Sequence, residues 1–273
     1  VLSYHIDGFI VSKSSHKKLQ PLSLSTSSGI LLDNVQTKTE EKTTSAKIMF
    51  PGGGIFFYWQ AGVVTYLREK EYDLSSIPLC GASAGALSAT LTACDVDFEE
   101  ATRLALSLAE DAGVWDRKGG LQGIWGPLIE YWLDELLPEN ATAMANQNEL
   151  GILVTPVPSF GKTRASNFID KKDLIDANMA SVHLPWFLDG RLTHTFRNKQ
   201  HIDGSFLAKP SDYFPDENGD TLVLDFAQDP AVAELWTDFV KALSKDGIWN
   251  LLEQGHSYAK KMESNGEFDI LVS

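Results

Sequence analysis

The chain has 273 residues, a length at which one large α/β domain can bury a sizeable core. Its apolar fraction of 43% and charged fraction of 22% are ordinary for a globular protein and exclude a disordered, fibrous or repeat protein. The formal net charge of -14 argues against nucleic acid as the main partner and against electrostatic adhesion to anionic bilayers, so contact with a lipid surface would have to be apolar.

Residues 1–45 are predicted to be a polar N-terminal lead-in, partly ordered on the domain surface, because Ser, Thr and Lys dominate there. The folded domain is expected to span residues 46–273. Short apolar runs alternate with helical patterns along it. We predict strands at residues 47–50, 77–80, 151–157 and 221–226, a hairpin at 193–203, helices at 61–70, 84–94, 98–112 and 171–182, and a helical region opening at Asp229 or Pro230. Apolar strands alternating with helices indicate an α/β fold whose largely parallel sheet is covered on both faces.

The compartment stays open at this stage. No apolar run reaches the ~18 residues of a spanning helix, so no transmembrane segment is expected. The sequence begins with Val1 rather than Met, so a cleaved targeting peptide would not be visible, and cytoplasm or an organelle such as a plastid both fit. The two cysteines, Cys80 and Cys94, are too few for a disulfide scaffold, and we expect Cys80 to be a packed thiol.

Gly81 to Gly85 form a G-x-S-x-G motif with Ser83 at its centre and Ala84 after it. The motif directly follows a predicted buried strand and directly precedes a predicted helix, the context that exposes a nucleophilic serine on a sharp turn. The flanking glycines allow close backbone approach, and the helix N-terminus directs its positive dipole end at the reacting centre. The motif by itself is also compatible with a tight junction that merely needs small residues.

Three consecutive glycines, Gly52 to Gly54, follow the first predicted strand. Such a run can turn several backbone N–H groups into one space, where they stabilise the oxyanion of a tetrahedral intermediate. A nucleotide-binding loop is the alternative interpretation. The run lacks the G-K-[ST] ending of a Walker loop, and Phe56 and Phe57 displace the third glycine of the dinucleotide pattern, so no nucleotide is expected.

A serine nucleophile needs a proton acceptor, and two Asp-Gly pairs compete for that role. Asp189 lies in a turn-like segment in which Asp and Gly serve the bend. Asp203 follows a polar hairpin strand, which would place it at a strand end, and Gly204 would leave clearance beside it. We favour Asp203, largely on the family pattern given below, and expect partial desolvation to raise its pKa toward the working pH.

A Ser-His-Asp triad is the alternative to a carboxylate acting alone. In the order typical of α/β-hydrolases the histidine follows the aspartate, and only His256 follows Asp203. A lone histidine in such a helical segment is more often a surface residue. His201 lies two residues before Asp203, on the same strand face, and is expected to be a neighbour rather than the third member.

The glycine loop, the Ser83 motif and Asp203-Gly204 follow one another in the order found in the patatin-like phospholipase family, which this chain resembles over roughly residues 46–230. The resemblance implies a three-layer α/β/α sandwich with a central, mostly parallel sheet. It also implies a Ser-Asp dyad without metal or other cofactor. The residues implied are Ser83 and Asp203 as the catalytic pair, Gly52, Gly53 and Gly54 as the oxyanion hole, and Gly81, Ala84, Gly85 and Gly204 as motif support.

Two features depart from the family pattern. Phe56 and Phe57 stand where a basic residue and a glycine are usual, which puts in doubt an extra positive charge near the oxyanion but not the backbone donors. Ser205 replaces the glycine or alanine that usually follows the Asp-Gly pair, a mild change.

Residues 121–137 predict an amphipathic helix, with apolar side chains at three- and four-residue steps. Those side chains are Trp125, Leu128, Ile129, Trp132, Leu133 and Leu136. Two interpretations stay open, a helix packed on the core and an interfacial flap over the acyl site.

The resemblance implies a lipid acyl hydrolase acting on phospholipids, galactolipids or neutral glycerides through an acyl-enzyme intermediate. An acyl lipid is the expected substrate, and peripheral contact with a membrane or lipid-droplet surface is expected. A catalytically silent storage or scaffold protein of the same family, or a triad-type small-molecule esterase, is the alternative.

Overall fold

The computed structural model describes residues 46–215, 218–238 and 240–272. The expected lead-in, residues 1–45, lies outside these ranges. The strands within them are β1 (Lys47–Phe50), β2 (Leu79–Ala82), β3 (Gly151–Val157), β4 (Thr163–Ala165), β5 (His194–Phe196), β6 (Lys199–Ile202) and β7 (Thr221–Val223). The α-helices are α1 (Phe57–Glu69), α2 (Ala84–Ala93), α3 (Phe98–Asp111), α4 (Trp125–Leu136), α5 (Ala141–Gln147), α6 (Lys171–Ser181), α7 (Pro210–Tyr213) and α8 (Lys245–Ser264).

The strands form one mixed sheet in the order β5-β6-β3-β2-β1-β7, and β4 pairs with β3 outside this path. β7, β1, β2 and β3 run parallel, with Cys80 opposite Gly151 between β2 and β3. The predicted hairpin, β5 and β6, runs antiparallel and joins the sheet where Thr155 of β3 lies opposite Ile202. β3 therefore separates the strand that ends before Ser83 from the strand that ends before Asp203.

Alternate residues of the strands face two separate apolar layers, because successive side chains of a strand point to opposite sides. Ile48 and Leu79 face the larger layer, which the main helices build. Met49 and Cys80 face a smaller layer, which Tyr213 of α7 helps to cover. Helices thus flank both faces of the sheet, and the predicted α/β/α sandwich is confirmed.

Helices α1 and α8 pack against each other at close backbone distance. A side-chain carbon added at Gly62 of α1 would lie 1.9 Å from the carbonyl oxygen of Leu252. One added at Gly255 of α8 would lie 1.9 Å from the carbonyl oxygen of Trp59. The two glycines therefore permit an approach that any side chain would block.

The C-terminal helical region begins later than predicted. Residues 226–228 and 233–238 form only short 3-10 turns, and α8 starts after Ser244, whose side chain accepts a hydrogen bond from Gly247 N. Asp229, expected to open the helix, is buried and accepts a hydrogen bond of 2.9 Å from the Trp59 indole. Its carboxylate therefore binds α1 instead of capping a long helix.

Both cysteines are free and buried, as expected for Cys80, and burial raises the pKa of each to about 12. Among the described helices, none combines the length and apolar character needed to cross a bilayer.

Candidate active site

Ser83 lies on a sharp turn between the last residue of β2 and the first of α2. Its φ of 52° is in the left-handed region, which a non-glycine residue adopts only when its surroundings impose it. Two contacts hold the turn: Ser83 N donates to Ser181 Oγ at 2.8 Å, and Ala86 N donates to Ser83 O at 2.8 Å. This is the strand-turn-helix arrangement predicted from the motif.

The two motif glycines are required by close packing around this turn. A carbon added at Gly81 would lie 2.1 Å from Gly85 O, and one added at Gly85 would lie 2.0 Å from Phe50 O. Real side-chain carbons do not approach backbone atoms this closely. The G-x-S-x-G pattern thus reflects direct contact between β2, α2 and the end of β1.

Ser83 Oγ donates a hydrogen bond of 2.7 Å to Asp203 Oδ2, although the two residues are 120 positions apart in the chain. The other carboxylate oxygen, Oδ1, accepts from Ser205 N at 2.8 Å and from Ser205 Oγ at 2.5 Å. Gly204 donates its N–H to Ser181 O at 2.8 Å and packs against Leu153 O of β3. The carboxylate is therefore oriented through both oxygens and through the next residue's backbone.

The environment of Asp203 opposes its charge. Its side chain is only 3% exposed, and burial raises the pKa of the carboxyl group above its ordinary value. Hydrogen bonds from Ser205 and Ser83 and the positive charge of Lys162 act in the opposite direction, but the net pKa shift is upward. A carboxylate of raised pKa that touches a serine hydroxyl is a stronger general base than an exposed one.

The three glycines of the loop after β1 have different neighbours. A carbon added at Gly52 would lie 3.1 Å from Ser83 Cβ, so this residue is beside the serine. Gly54 contributes to the cavity wall that also includes Ser83. The position of a carbon at Gly53 is 2.8 Å from the Phe226 ring, so that side of the residue faces the core.

Ser83 opens into an apolar cavity that is partly open to solvent. Ala84 lines it at the start of α2, and further walls come from α3, α4, the segment 182–188 and residues 240–243. Binding sites for small molecules are typically concave and mostly apolar. The cavity thus has the chemistry for an apolar group.

Helix α4 occupies most of residues 121–137, for which a core helix and a flap were the two interpretations. Ile129, Trp132 and Leu133 are buried, and the Trp132 indole donates to Ala101 O of α3 at 2.8 Å. Trp125 and Leu128 line the cavity together with Ile129 and Trp132. The helix is therefore packed on the core and forms a wall of the cavity at the same time.

The alternative candidates for the base have other partners. His256 Nε2 lies 2.7 Å from Glu69 Oε2, across the contact between α8 and α1. His201 Nδ1 lies 3.1 Å from Lys199 O. Asp189 Oδ1 accepts from Arg191 N in a turn, as its sequence pattern predicts. The hydrogen bond of Ser83 Oγ goes to Asp203.

Several residues around the pair were missed by reasoning from sequence. Ser181 lies at the end of α6 and binds both Ser83 N and Gly204 N, yet nothing in its local sequence marks it. Thr155 of β3 donates to Asp203 O, and Lys162 of the following turn donates to Thr155 Oγ1. Ser205 was noticed only as a departure from the family pattern, and its position directly after the Asp-Gly pair was the available signal.

Within the described ranges there is no group of three or more His, Cys, Asp or Glu side chains that could hold a metal ion.

Comparison with known proteins gives a consistent result. The profile of the family described as patatin-like phospholipase matches residues 48–210. The chain is 28% identical to the omega-hydroxyceramide transacylase of Mus musculus over 63% of this chain and 29% of that protein. It is 31% identical to patatin-like phospholipase domain-containing protein 2 of Homo sapiens, over 60% of this chain and 32% of that protein.

The chain spans about a third of the length of these curated relatives. Among solved structures, it is similar to VipD from Legionella pneumophila with a TM-score of 0.39 and 14% identity, over 66% of this chain and 49% of that one. The family profile covers more than half of the chain and includes the glycine loop, Ser83 and Asp203. The chain therefore belongs to the patatin-like phospholipase family.

Proposed function

We propose that the chain is a lipid acyl hydrolase that cleaves carboxylic esters with Ser83 as nucleophile and Asp203 as general base. The observation that carries this proposal is the 2.7 Å contact between Ser83 Oγ and the buried Asp203 carboxylate, beside an apolar cavity. Apolar walls suit an acyl chain, and the raised pKa of Asp203 suits a proton acceptor.

In the proposed reaction, Ser83 Oγ attacks the ester carbonyl carbon while its proton moves to Asp203 Oδ2. The oxyanion is stabilised by backbone N–H groups of Gly52, Gly53 and Gly54 and by the N-terminus of α2 at Ala84. Asp203 then gives the proton to the departing alcohol, which leaves an acyl-enzyme. Water attacks the acyl carbonyl, loses a proton to Asp203, and the fatty acid departs as Ser83 recovers its proton.

We infer the substrate class from the apolar cavity, which suits an acyl chain, and not from a binding site for a lipid headgroup. Phospholipids, galactolipids and neutral acylglycerols share the acyl ester that the cavity would receive. A second candidate is transfer of the acyl group to a lipid alcohol, which the name of the murine relative, a transacylase, favours. In that case an alcohol replaces water in the second step.

We further propose that residues 46–273 form the catalytic domain, although the family profile ends at residue 210. Helix α8 lies beyond the matched residues, packs on α1 and contributes Ile248 to the cavity wall. A domain cut at residue 210 would lack this support.

Peripheral contact with a lipid surface is part of the proposal. Trp115, Trp186 and Leu192, here called the rim, are 36%, 60% and 50% exposed. Trp115 also lines the cavity, and Trp186 is next to the cavity residue Phe187. The segments around the rim and cavity edge, 114–118, 184–192 and 240–246, hold five basic and three acidic side chains in an otherwise acidic chain. Exposed apolar groups with little negative charge suit a bilayer or droplet surface.

A fluorophosphonate probe tests the reaction directly. Wild type should become labelled, Ser83→Ala should not, and Asp203→Asn should react at least ~100-fold more slowly, because a positioned base contributes about 10²–10⁴ in rate. Unlabelled but folded wild type would favour the silent storage or scaffold alternative. If instead His256→Ala abolished turnover and Asp203→Asn retained it, the triad-type esterase would be favoured.

The products separate the two lipid reactions. Wild type and Ser83→Ala are incubated with a mixed panel of phospholipids, galactolipids and acylglycerols, with and without an added long-chain alcohol. Mass spectrometry of the products identifies free fatty acid for hydrolysis and a new ester for transfer. Both should be absent with Ser83→Ala.

A further inference from the structure

Lys162 lies in the turn between β3 and β4 and is partly buried behind the Asp203 segment. Its ammonium group donates to Thr155 Oγ1 at 2.6 Å and to the carbonyl oxygen of Phe206. Thr155 Oγ1 donates in turn to the carbonyl oxygen of Asp203 at 2.8 Å. One cation thus fixes the backbone of residues 203–206 at both ends.

The hydrogen bond from Lys162 to Thr155 is held rigidly by the position of Thr155 in the sheet. Thr155 and Asp203 are both buried, and Thr155 lies on β3, the strand that separates β2 from β6. The Thr155 hydroxyl therefore holds the carbonyl group of Asp203 from a strand inside the sheet. A buried polar group held in this way has few alternative arrangements, because losing a partner leaves it unsatisfied.

Lys162 also acts on Asp203 through its charge. Its positive charge lowers the pKa of Asp203, against the larger effect of burial. Burial lowers the pKa of Lys162 itself, which the charges of Asp203 and Asp212 oppose. Among the described residues, Tyr213 and His183 also sense the charge of Asp203. Burial raises the pKa of the tyrosine and lowers that of the histidine, which favours their neutral forms.

We propose that Lys162 is a positioning residue for the Ser83–Asp203 pair, which fixes the backbone of the Asp203 segment through Thr155 and Phe206 and places its positive charge near the carboxylate. The inference rests on the proposed function, since it concerns the base of that reaction. It differs from a purely structural role because removal of the charge changes the pH at which the base works.

The test compares Lys162→Gln, which keeps a donor but loses the charge, with Lys162→Arg, which keeps the charge. The readout is the rate of fluorophosphonate labelling as a function of pH, with folding checked by circular dichroism. Without the cation the pKa of Asp203 rises, so the carboxylate is protonated at a higher pH. Lys162→Gln should move the acid limb of the profile to higher pH and so slow labelling on that limb, and Lys162→Arg should leave the limb in place.

Folded Lys162→Gln with the wild-type acid limb would overturn the inference, while labelled wild type would still support the proposed reaction. Unlabelled wild type would reject the proposed function itself, so the two failures are distinct. If Lys162→Gln does not fold, Thr155→Val gives the second test, because it keeps the cation and removes its bridge to Asp203. Slower labelling with an unmoved acid limb is expected, and wild-type rates would overturn the positioning role.

Discussion

The pKa of the Asp203 carboxyl group is set by effects of opposite direction. Burial raises its pKa, and the hydrogen bonds from Ser205 and Ser83 only partly offset that effect. A carboxyl group whose pKa is higher in the folded than in the unfolded chain favours folding while protonated. Its contribution to stability is therefore lost as the pH rises from the unfolded value of about 3.9 through the folded pKa. The ionised Asp203 carboxylate therefore costs folding free energy above its folded pKa.

We expect Asp203→Asn to be as stable as wild type or more stable near pH 8, because asparagine carries no buried charge. The difference should shrink as the pH falls toward the unfolded value of about 3.9, because the raised pKa lets folded wild-type Asp203 gain its proton above that pH. Thermal unfolding of both proteins across this range measures the difference, and titrations common to both cancel. A variant whose stability deficit grows with rising pH would contradict this assignment of the pKa shift.

At the scale of elements, the contact between α1 and α8 makes a sharp prediction. Gly255→Ala should destabilise the fold by ~1–3 kcal/mol, although alanine favours helix by about 1 kcal/mol, because its side-chain carbon would overlap Trp59 O. The matched control is Gly247→Ala in the first turn of α8, where the nearest atom is 3.3 Å away. The control should lose much less stability than Gly255→Ala, because its nearest neighbour is the Ser244 side chain at 3.3 Å and not an overlapping backbone oxygen. Urea unfolding of the three proteins compares them, and equal stability of both variants would contradict the close contact.

Elements that carry their own pattern could be predicted from sequence. The apolar runs at Lys47–Phe50 and Gly151–Val157 form strands with the predicted bounds. The hairpin also forms, with Arg197 and Asn198 at positive φ in its turn. The role of Asp229 could not be predicted, because its carboxylate binds Trp59, 170 positions away, while α8 begins after Ser244.

The same distinction applies to the candidate site. Ser83 and Asp203 belong to short motifs with recognisable neighbours, and the contact between them could be anticipated from the family pattern. Ser181 and Lys162 act through contacts to residues far away in the chain, such as Ser83 N and Phe206 O. Local sequence carries no mark of such partners, so only the folded chain identifies them.

At the scale of the whole molecule, the proposed lipid contact through the rim can be tested. The double variant Trp186→Asn with Leu192→Gln should bind phosphatidylcholine vesicles about tenfold or more weakly, because each buried apolar side chain contributes ~1.5–3 kcal/mol. Asparagine tolerates the positive φ of Trp186. Co-sedimentation measures binding, and Ile169→Gln, which removes an exposed apolar side chain outside the rim, is the control. Equal loss in both variants, or in neither, would contradict a specific docking face.

The cavity walls and the Ser83–Asp203 pair come from different elements, which affects how related proteins can change in evolution. The reacting groups follow the ends of β2 and β6, whereas much of the wall comes from α3 and α4. Under the proposed function, residue exchanges on those helices would change which acyl chain fits while the contact between Ser83 and Asp203 stays intact. Selectivity and chemistry are therefore separately inheritable, and a library confined to the wall-facing positions of α4 should yield new preferences without loss of probe reactivity.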